Sequence, residues 1–318
     1  MIGKLRMQAI AVTLNRRFVT GARWRLSSLA GWLLLGVLST SAVFGGTIYN
    51  FESCNPGAIG VWNNAPPPGC DGWYTPPTSL VPGSAAGSVV QYSSLLGLGI
   101  AADPTGGNNA LGLTGNSGGS VDRAQHDLAS QTGELTISYD LSALDLSSSG
   151  NSYGTAYIGS FSLFQINSSL NYFAVLDQWD NPSATSTWTS LYYVYNAAGQ
   201  VQDPNGVTPG SAWTGLLQNH FYSESTVLDE DTNQILSVSI TDLTTNSTTT
   251  VSPAGWYLGG GANTPPGANA FRFAGLGPTN GLLIDNVSLG VSSVPEPGAF
   301  FLMVAGGIVV SASRRRGR

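Results

Sequence analysis

The sequence predicts an all-β protein whose body, residues 47–293, folds as one antiparallel β-sandwich between two short apolar segments. Residues 134–141 (ELTISYDL) alternate apolar and polar side chains, and residues 235–242 (ILSVSITD) repeat this alternation. A period of two is typical of a strand with one buried face. Clusters of Gly, Pro, Asn and Ser separate such segments, and no part of the body shows a sustained helical period.

The first 46 residues predict a secretory signal peptide with a helical apolar centre. Six basic residues before position 26 precede an apolar run at 29–38 (LAGWLLLGVL), and small residues follow it. This order of charge, apolar run and small residues is that of a signal peptide, and the run is shorter than the roughly 20 residues of a membrane span. We expect cleavage between Ala42 and Gly46. The alternatives are an uncleaved signal anchor and, from Arg16 and Arg17, a twin-arginine signal.

The body contains several further segments rich in β-branched and aromatic residues. They are predicted as strands at 47–51, 89–92, 156–166, 172–176, 187–195, 270–273 and 282–289. A hairpin is predicted where the strand at 235–242 is followed by residues 243–245 (LTT) and then by NSTTTV. Many strands joined by long polar loops favour a single sandwich over several domains.

The distribution of charge excludes nucleic-acid binding and indicates membrane targeting. Only 9% of the residues are charged, and the formal net charge is −6. Six bases precede residue 26 and four follow residue 313, which leaves Arg123 and Arg272 against 17 acids in residues 47–294, a net charge of −15. A nucleic-acid binder needs a basic face, which this acidic body lacks. Basic segments beside apolar runs at both ends are typical of a precursor that is targeted to a membrane.

The two cysteines, Cys54 and Cys70, predict a disulfide bond. In an exported chain, a single pair at this spacing is more typical of a disulfide than of a metal site. The intervening residues are rich in Pro and Gly, so they form no regular structure of their own. On the chain-entropy model, the crosslink stabilises the fold by about 3 kcal/mol. Metal binding by the two thiolates is the alternative.

The sequence predicts no catalytic residues and no enzyme activity. His126 and His220 are the only histidines, and serine is abundant throughout the chain, so no serine is marked as a nucleophile. A retaining glycosidase needs two carboxyl groups about 5 Å apart. Neither the acids at 229–231 nor those at 177–180 match the Glu-x-Asp-x-x-Glu pattern of sandwich glucanases. We therefore expect a non-catalytic protein.

A short acidic segment is a candidate for a structural calcium ion, the one cofactor that the sequence suggests. Asp229, Asp231 and Asn233 offer oxygen ligands at alternate positions, as at the start of a calcium loop. Gln234 and Ile240 stand where an EF-hand requires Gly and Glu, so the full EF-hand pattern fails. The negative charge of the body still favours a bound cation.

Aromatic residues concentrated in the second half of the body predict a glycan site. Trp179 lies between Asp177 and Asp180, and sugar rings stack on aromatic rings beside polar groups. The candidate glycan-binding residues are Asp177, Trp179, Asp180, Trp188, Tyr193 and Trp213. The alternative is that these rings fill the core of the sandwich.

The last 25 residues combine a proline-containing motif, an apolar run at 299–312 and an arginine tail. The motif and tail residues are Val294, Pro295, Glu296, Pro297, Arg314, Arg315 and Arg316. A 14-residue apolar helix is about 21 Å long, which predicts a short transmembrane helix, and the arginines fix its end on the cytoplasmic side. The prolines keep the motif extended outside the membrane.

This tail resembles the PEP-CTERM sorting signal of Gram-negative bacteria, which has the same three parts in the same order. The resemblance implies that exosortase, a membrane-bound cysteine protease-transpeptidase, recognises the Pro-Glu-Pro motif of residues 294–318 and processes the chain. It also implies an association with extracellular polysaccharide and biofilm matrix. The alternative is a plain C-terminal anchor that is never processed.

Two stretches of the body resemble jelly-roll modules similar to concanavalin-type lectins and laminin-G-like domains. They are residues 231–240 (DTNQILSVSI) and 281–289 (GLLIDNVSL). The opening YNFE at 49–52, with Gly72, Trp73 and NALGL at 109–113, resembles the start of carbohydrate-binding jelly rolls. The resemblance implies a jelly-roll-like topology for the sandwich.

We therefore expect an exported protein that is held transiently at the inner membrane, processed by exosortase, and released to the cell surface or the extracellular matrix. Its expected function is non-catalytic binding to extracellular polysaccharide. The alternatives are a carbohydrate-active hydrolase built on the sandwich and a purely structural matrix protein.

Overall fold

A computed structural model describes residues 46–62, 70–79, 83–96, 100, 102–105, 107–114, 121–129, 132–145, 156–164, 174–181, 187–263, 269–275 and 280–292. The predicted signal peptide, apart from Gly46, and the predicted sorting segment at 294–318 lie outside these residues. Among the described ranges, the structure contains no helix with the length and apolar composition of a membrane span.

Two sheets carry almost all of the regular structure. The larger sheet has the strand order β14-β13-β12-β7-β16-β5-β4-β2, and β1 also pairs with β16. All of its pairings are antiparallel. Its strands are β1 (Thr47–Tyr49), β2 (Gly57–Ala58), β4 (Ser88–Gln91), β5 (Asn109–Thr114), β7 (Glu134–Asp145), β12 (Tyr222–Asp229), β13 (Gln234–Asp242), β14 (Ser247–Val251) and β16 (Asn280–Ser292).

The smaller sheet has the strand order β11-β10-β9-β8-β15-β6-β3. Its pairings are antiparallel except for the parallel pair of β3 with β6. Its strands are β3 (Ser84–Ala86), β6 (Val121–Asp127), β8 (Ala156–Phe164), β9 (Ala174–Asn181), β10 (Thr187–Tyr192), β11 (Thr214–Leu217) and β15 (Ala270–Gly275). One helical turn, α1 (Tyr92–Leu95), follows β4.

The core lies between the inner faces of the two sheets, as the alternation in the sequence predicts. In β7, Leu135, Ile137 and Tyr139 are buried in the core, because every second side chain of a strand points to the same face. In β15, Phe271 and Phe273 come from the opposite sheet and join the same cluster. The prediction of an all-β, antiparallel sandwich is therefore confirmed.

Trp73 occupies the centre of the aromatic part of this core. Its ring is fully buried and lies 5.2 Å from Phe51 and 5.1 Å from Phe271 between ring centroids. The predicted disulfide between Cys54 and Cys70 is confirmed, and both cysteines belong to the same core cluster. The disulfide therefore anchors the loop before Trp73 to the sandwich.

Most strands of the prediction are present, with shifted ends. The predicted strand at 172–176 corresponds to β9, which runs from Ala174 to Asn181, and the predicted hairpin is formed by β13 and β14. The sequence prediction missed β5, β6, β11 and β12 and the short strands β2 and β3. Of these, β6 positions the polar side chains described next.

Candidate functional site

Polar side chains gather on the outer face of the smaller sheet, where β6 pairs with β15. Arg272 lies between Phe271 and Phe273, which both point into the core, so the side chain of Arg272 leaves the opposite face of the strand. The same alternation in β6 puts Ala124 in the core and Arg123 on the outer face. The two arginines therefore share one face of the sheet.

The strand register makes these two arginines diagonal neighbours. Residue 272 pairs with Gln125, and Ala274 pairs with Arg123. Diagonal neighbours on adjacent antiparallel strands lie about 7–8 Å apart, within reach of long side chains. We call Tyr74, Arg123, Gln125, Asp127 and Arg272 the arginine patch.

Hydrogen bonds hold four members of the arginine patch in one chain. Arg272 donates from Nε and Nη2 to Oε1 of Gln125, at 3.0 and 2.6 Å. Gln125 donates from Nε2 to the hydroxyl of Tyr74, and that hydroxyl donates to Oδ1 of Asp127. Because both polar atoms of its amide are engaged, Gln125 fixes the position of the Arg272 guanidinium.

Burial and mutual repulsion act on the charges of the patch. Arg272 is 6% exposed, and burial together with the charge of Arg123 lowers the pKa of Arg272 to about 10. Arg123 is half-buried, donates from Nη1 to the hydroxyl of Ser84 at 3.0 Å, and has its pKa lowered by burial. Both guanidinium groups remain cationic at neutral pH. Burial and Asp127 raise the pKa of Tyr74, which therefore stays a neutral hydroxyl.

An aromatic ring borders the arginine patch. The indole ring of Trp62 lies 4.6 Å from the ring of Tyr74 between centroids, and it is partly exposed. The partly exposed groups at the patch are therefore the guanidinium of Arg123, the carboxylate of Asp127 and the ring of Trp62, whereas Tyr74, Gln125 and Arg272 are at most 6% exposed. This is the mixture of groups by which proteins bind polar ligands that also have apolar faces.

A second polar cluster lies on the outer face of the larger sheet. Asp285 of β16 and Asp140 of β7 pair directly opposite each other. Asp103, from the segment after α1, is the third carboxylate, and the hydroxyl oxygen of Thr105 lies within hydrogen-bond distance of both neighbours, 2.8 Å from Asp103 and 2.7 Å from Asp140. We call Asp103, Asp140 and Asp285 the aspartate cluster.

The surroundings of Asp285 and Asp103 in the aspartate cluster favour protonation of these two side chains. All three side chains are at most 6% exposed. Burial raises the pKa of Asp285 to about 7, and the charges of Asp103 and Asp140 add to this rise. Burial and the charge of Asp140 also raise the pKa of Asp103. Asn286 donates from Nδ2 to Asp140 at 3.0 Å and sits in a β-bulge with a φ of 46°.

Two of the predicted glycan-binding residues are core residues, so the prediction is wrong for them. Trp188 is 1% exposed and Trp213 is fully buried, which leaves no ring face for a sugar. Asp177, Trp179 and Asp180 lie on β9, where the structure describes the backbone but not the side chains.

Tyr193 follows β10 and is partly exposed, as a binding residue requires. It lies beyond the end of a strand that is separated from β15 by β9 and β8. The structure therefore does not bring Tyr193 together with the arginine patch.

The predicted calcium ligands form the turn between β12 and β13. Asp229 accepts from the backbone N–H of Asp231 at 3.0 Å and from the hydroxyl of Thr232 at 2.7 Å, and Asn233 has a φ of 56°. Within the described residues, no group of three or more His, Cys, Asp or Glu side chains is arranged to hold a metal ion. These contacts explain the acidic segment as a tight hairpin turn.

The two histidines contact residues outside the arginine patch. His126 points to the inner face of β6, stacks on Phe271 with ring centroids 5.5 Å apart, and contacts the carbonyl oxygen of Asp71 through Nε2 at 2.8 Å. Burial lowers its pKa. His220 forms a 2.8 Å hydrogen-bonded contact between its Nε2 and Oδ1 of Asp242. No serine side chain is among these contacts of either histidine.

Known proteins resemble this chain only in structure. No family model and no curated protein matches it. The K2 cleaved adhesin domain of Lys-gingipain is 12% identical, with a TM-score of 0.37 over 78% of this chain and 99% of that one. Lectin II from Ulex europaeus is 13% identical, with a TM-score of 0.39 over 77% and 97%. The endo-1,3-beta-glucanase from Streptomyces sioyaensis is 12% identical, with a TM-score of 0.41 over 77% and 96%. Such likenesses assign neither a family nor an activity to this chain.

Proposed function

We propose that the chain is an exported, exosortase-sorted protein whose sandwich binds extracellular polysaccharide through the partly exposed groups at the arginine patch, which are Trp62, Arg123 and Asp127. The observation that carries this proposal is the patch itself, where Gln125 and Tyr74 orient polar groups on an outer sheet face beside the ring of Trp62. Sugars combine hydroxyl groups, which need such donors and acceptors, with C–H faces that pack on aromatic rings.

The two terminal segments support export and sorting. The basic and apolar residues before position 46 have the order of a signal peptide. The Pro-Glu-Pro motif, the apolar run at 299–312 and the final arginines have the order of the PEP-CTERM signal. In the proposed sequence of events, the chain crosses the inner membrane, is processed near Pro297, and joins the cell surface or the matrix.

We further propose that binding is not followed by catalysis. The arginine patch includes a single carboxylate, Asp127, whereas glycoside hydrolysis uses two carboxyl groups, one on each side of the scissile bond. The aspartate cluster does contain several carboxylates, but Asp285 is fully buried and Asp103 is 4% exposed. A polymer has no access to groups with that exposure.

The test is binding and turnover with the polysaccharide of the producing cell. We expect the full chain to retain labelled polysaccharide, and Trp62→Ala to weaken retention several-fold because one stacking face is lost. Tyr257→Ala, which removes a partly exposed ring elsewhere, is the matched control and should leave retention unchanged. Release of reducing ends by the wild-type chain, abolished by one carboxylate substitution, would establish the hydrolase alternative. No retention at all would favour the purely structural alternative.

A further inference from the structure

A small apolar cluster lies on the outer face of the larger sheet, separate from the main core. Its members come from α1, the residues that follow α1, one loop and the strands of the sheet, and each is at most 4% exposed: Tyr92, Ile100, Ala110, Leu144, Phe221 and Leu283. One face of an antiparallel sheet commonly meets water, so apolar side chains on that face need a cover. Tyr92 and Ile100 belong to this cover, because neither lies on a strand.

Polar contacts join the cover to the aspartate cluster. The hydroxyl of Tyr92 donates to Oδ2 of Asp285 at 3.1 Å. The hydroxyl oxygen of Thr105 lies 2.7 Å from Asp140 and 3.1 Å from Nδ2 of Asn286. The last two residues and Asp285 belong to strands of the sheet, whereas Tyr92 and Thr105 do not. We call Tyr92, Ile100, Asp103 and Thr105 the covering residues.

The cationic side chains of the described residues lie away from the aspartate cluster. These residues contain two arginines and no lysine, and Arg123 and Arg272 both lie on the outer face of the other sheet. His126 points to the inner face of β6, and His220 contacts Asp242. The charge of the aspartate cluster therefore depends on how many protons it holds.

The three aspartates lie on both sides of the contact between the cover and the sheet. Asp103 is a covering residue, whereas Asp140 and Asp285 belong to β7 and β16. Burial, with the charges of the other two aspartates, raises the pKa of Asp285 to about 7, and burial with the charge of Asp140 raises the pKa of Asp103. Burial and Asp285 also raise the pKa of Tyr92, whose hydroxyl stays neutral. Loss of protons therefore sets like charges against each other across this contact.

We propose that the aspartate cluster is a pH-sensitive switch, which holds the covering residues on the larger sheet while it is protonated and releases them when it ionises. The release is local, because none of the three aspartates belongs to the main core between the sheets. It exposes Leu144 and Leu283 to water above neutral pH. The switch lies on a different sheet from the arginine patch, so its failure in a test leaves the proposed function unaffected.

The experiment is hydrogen exchange of the full chain at pH 5.5, 7 and 8.5 in EDTA, with each rate divided by the intrinsic exchange rate at that pH. The N–H of Tyr92 donates to the carbonyl oxygen of Asn108 at 3.0 Å, and release of the covering residues exposes it. For Asp285, a pKa of 3.8 in the released state and about 7 in the closed state increases the opening constant about thirtyfold between pH 5.5 and 8.5. We expect the protection of the Tyr92 amide to fall by the same factor.

A second amide distinguishes local release from unfolding of the whole sandwich. Phe273 pairs with Ala124 on one side and with Phe161 on the other, so its amide reports on unfolding of the sandwich. Low concentrations of urea should speed exchange at Phe273 and leave exchange at Tyr92 unchanged, because urea favours the openings that expose much surface. Equal sensitivity of the two amides to urea would overturn the inference.

Two variants test the role of the aspartates. Asp285→Asn and Asp103→Asn each remove one charge, so each should reduce the pH dependence of exchange at Tyr92. Asp231→Asn changes an exposed carboxylate and should leave that pH dependence at the wild-type value. Protection of the Phe273 amide confirms that each variant is folded. If the protection of Tyr92 in wild type does not vary with pH, or if both cluster variants keep the full pH dependence, the inference is wrong.

Discussion

Replacing Asp285 by asparagine should stabilise the protein at neutral and alkaline pH. Asp285 is fully buried, and its backbone pairs with that of Asp140 on the next strand. Its carboxylate accepts hydrogen bonds from the N–H of Asn286 at 2.8 Å and from the hydroxyl of Tyr92 at 3.1 Å. An asparagine removes the charge, keeps one carbonyl oxygen as an acceptor, and preserves the volume of the side chain.

The size of this effect follows from the pKa of Asp285. A rise from 3.8 to about 7 corresponds to about 4 kcal/mol of unfavourable ionisation at pH values above 7, at about 1.4 kcal/mol for each pKa unit. Losing one of two accepted hydrogen bonds costs about 1 kcal/mol. We therefore expect Asp285→Asn to raise the free energy of unfolding by about 3 kcal/mol at pH 8.5.

The raised pKa of Asp285 determines the direction in which the stability of the fold changes with pH. Because the folded pKa lies above the unfolded value, the native state keeps its proton over the interval from about 4 to about 7 while the unfolded state has lost it. The stability of the fold therefore falls as the pH rises through this interval. Above the interval, Asp285 causes no further change in stability. The advantage of Asp285→Asn should grow over the same interval and be absent at pH 4.

The assay is urea unfolding followed by tryptophan fluorescence at pH 4, 5.5, 7 and 8.5 in the presence of EDTA. Asp231→Asn is the matched control for the loss of one carboxylate, because Asp231 is exposed in the hairpin between β12 and β13, and it should not raise the free energy of unfolding as Asp285→Asn does. An Asp285→Asn variant less stable than wild type at pH 8.5, or a difference that does not vary with pH, would refute the reasoning.

Three further predictions concern other parts of the chain. Replacing Cys54 and Cys70 by serine should lower the free energy of unfolding by about 3 kcal/mol; reduction of the wild-type protein should have the same effect in denaturant titrations, and an unchanged midpoint would contradict it. Asn286→Ala should lower the free energy of unfolding by about 2 kcal/mol, because alanine is strained at a φ of 46° and the hydrogen bonds of the Asn286 side chain are lost. Asn286→Gly should lower it by less in the same assay, because glycine adopts this φ without strain. Mass spectrometry of the protein recovered from the producing cell should find no peptide containing residues 314–316, and recovery of that peptide would contradict sorting.

The parts of the fold that the sequence predicts are those where the inner positions are apolar. In β7, Leu135 and Ile137 mark the alternation without ambiguity. In β12, the inward positions include Glu224 and Thr226, which are 1% and 5% exposed, so the strand has no apolar period. In β6, His126 points inward, so this strand also lacks a regular alternation of apolar and polar side chains. β6 pairs with the distant strand β15, and β12 pairs with the distant strand β7 as well as with its hairpin neighbour β13, and local periodicity does not encode the distant pairings.

The candidate site was not among the sequence predictions, which placed the glycan site on other residues. Arg123 and Arg272 stand out in the sequence as the only bases of the body, but they entered those predictions only through the net charge. Their proximity depends on the pairing of two strands that are 147 residues apart at the Arg272–Gln125 contact. Trp188 failed as a candidate because composition does not distinguish an aromatic ring in the core from one at the surface. Its burial follows from the alternation of β10, in which Tyr192 is also buried.

The most direct test of this account is the binding of the mature protein to the matrix polysaccharide of its own cell. Wild type, Trp62→Ala and Arg123→Gln are mixed with the purified polysaccharide, and the bound fraction is measured by sedimentation. The account predicts that wild type sediments with the polymer and that both variants, although folded, sediment several-fold less. Equal sedimentation of all three proteins would show that the arginine patch does not bind the polysaccharide.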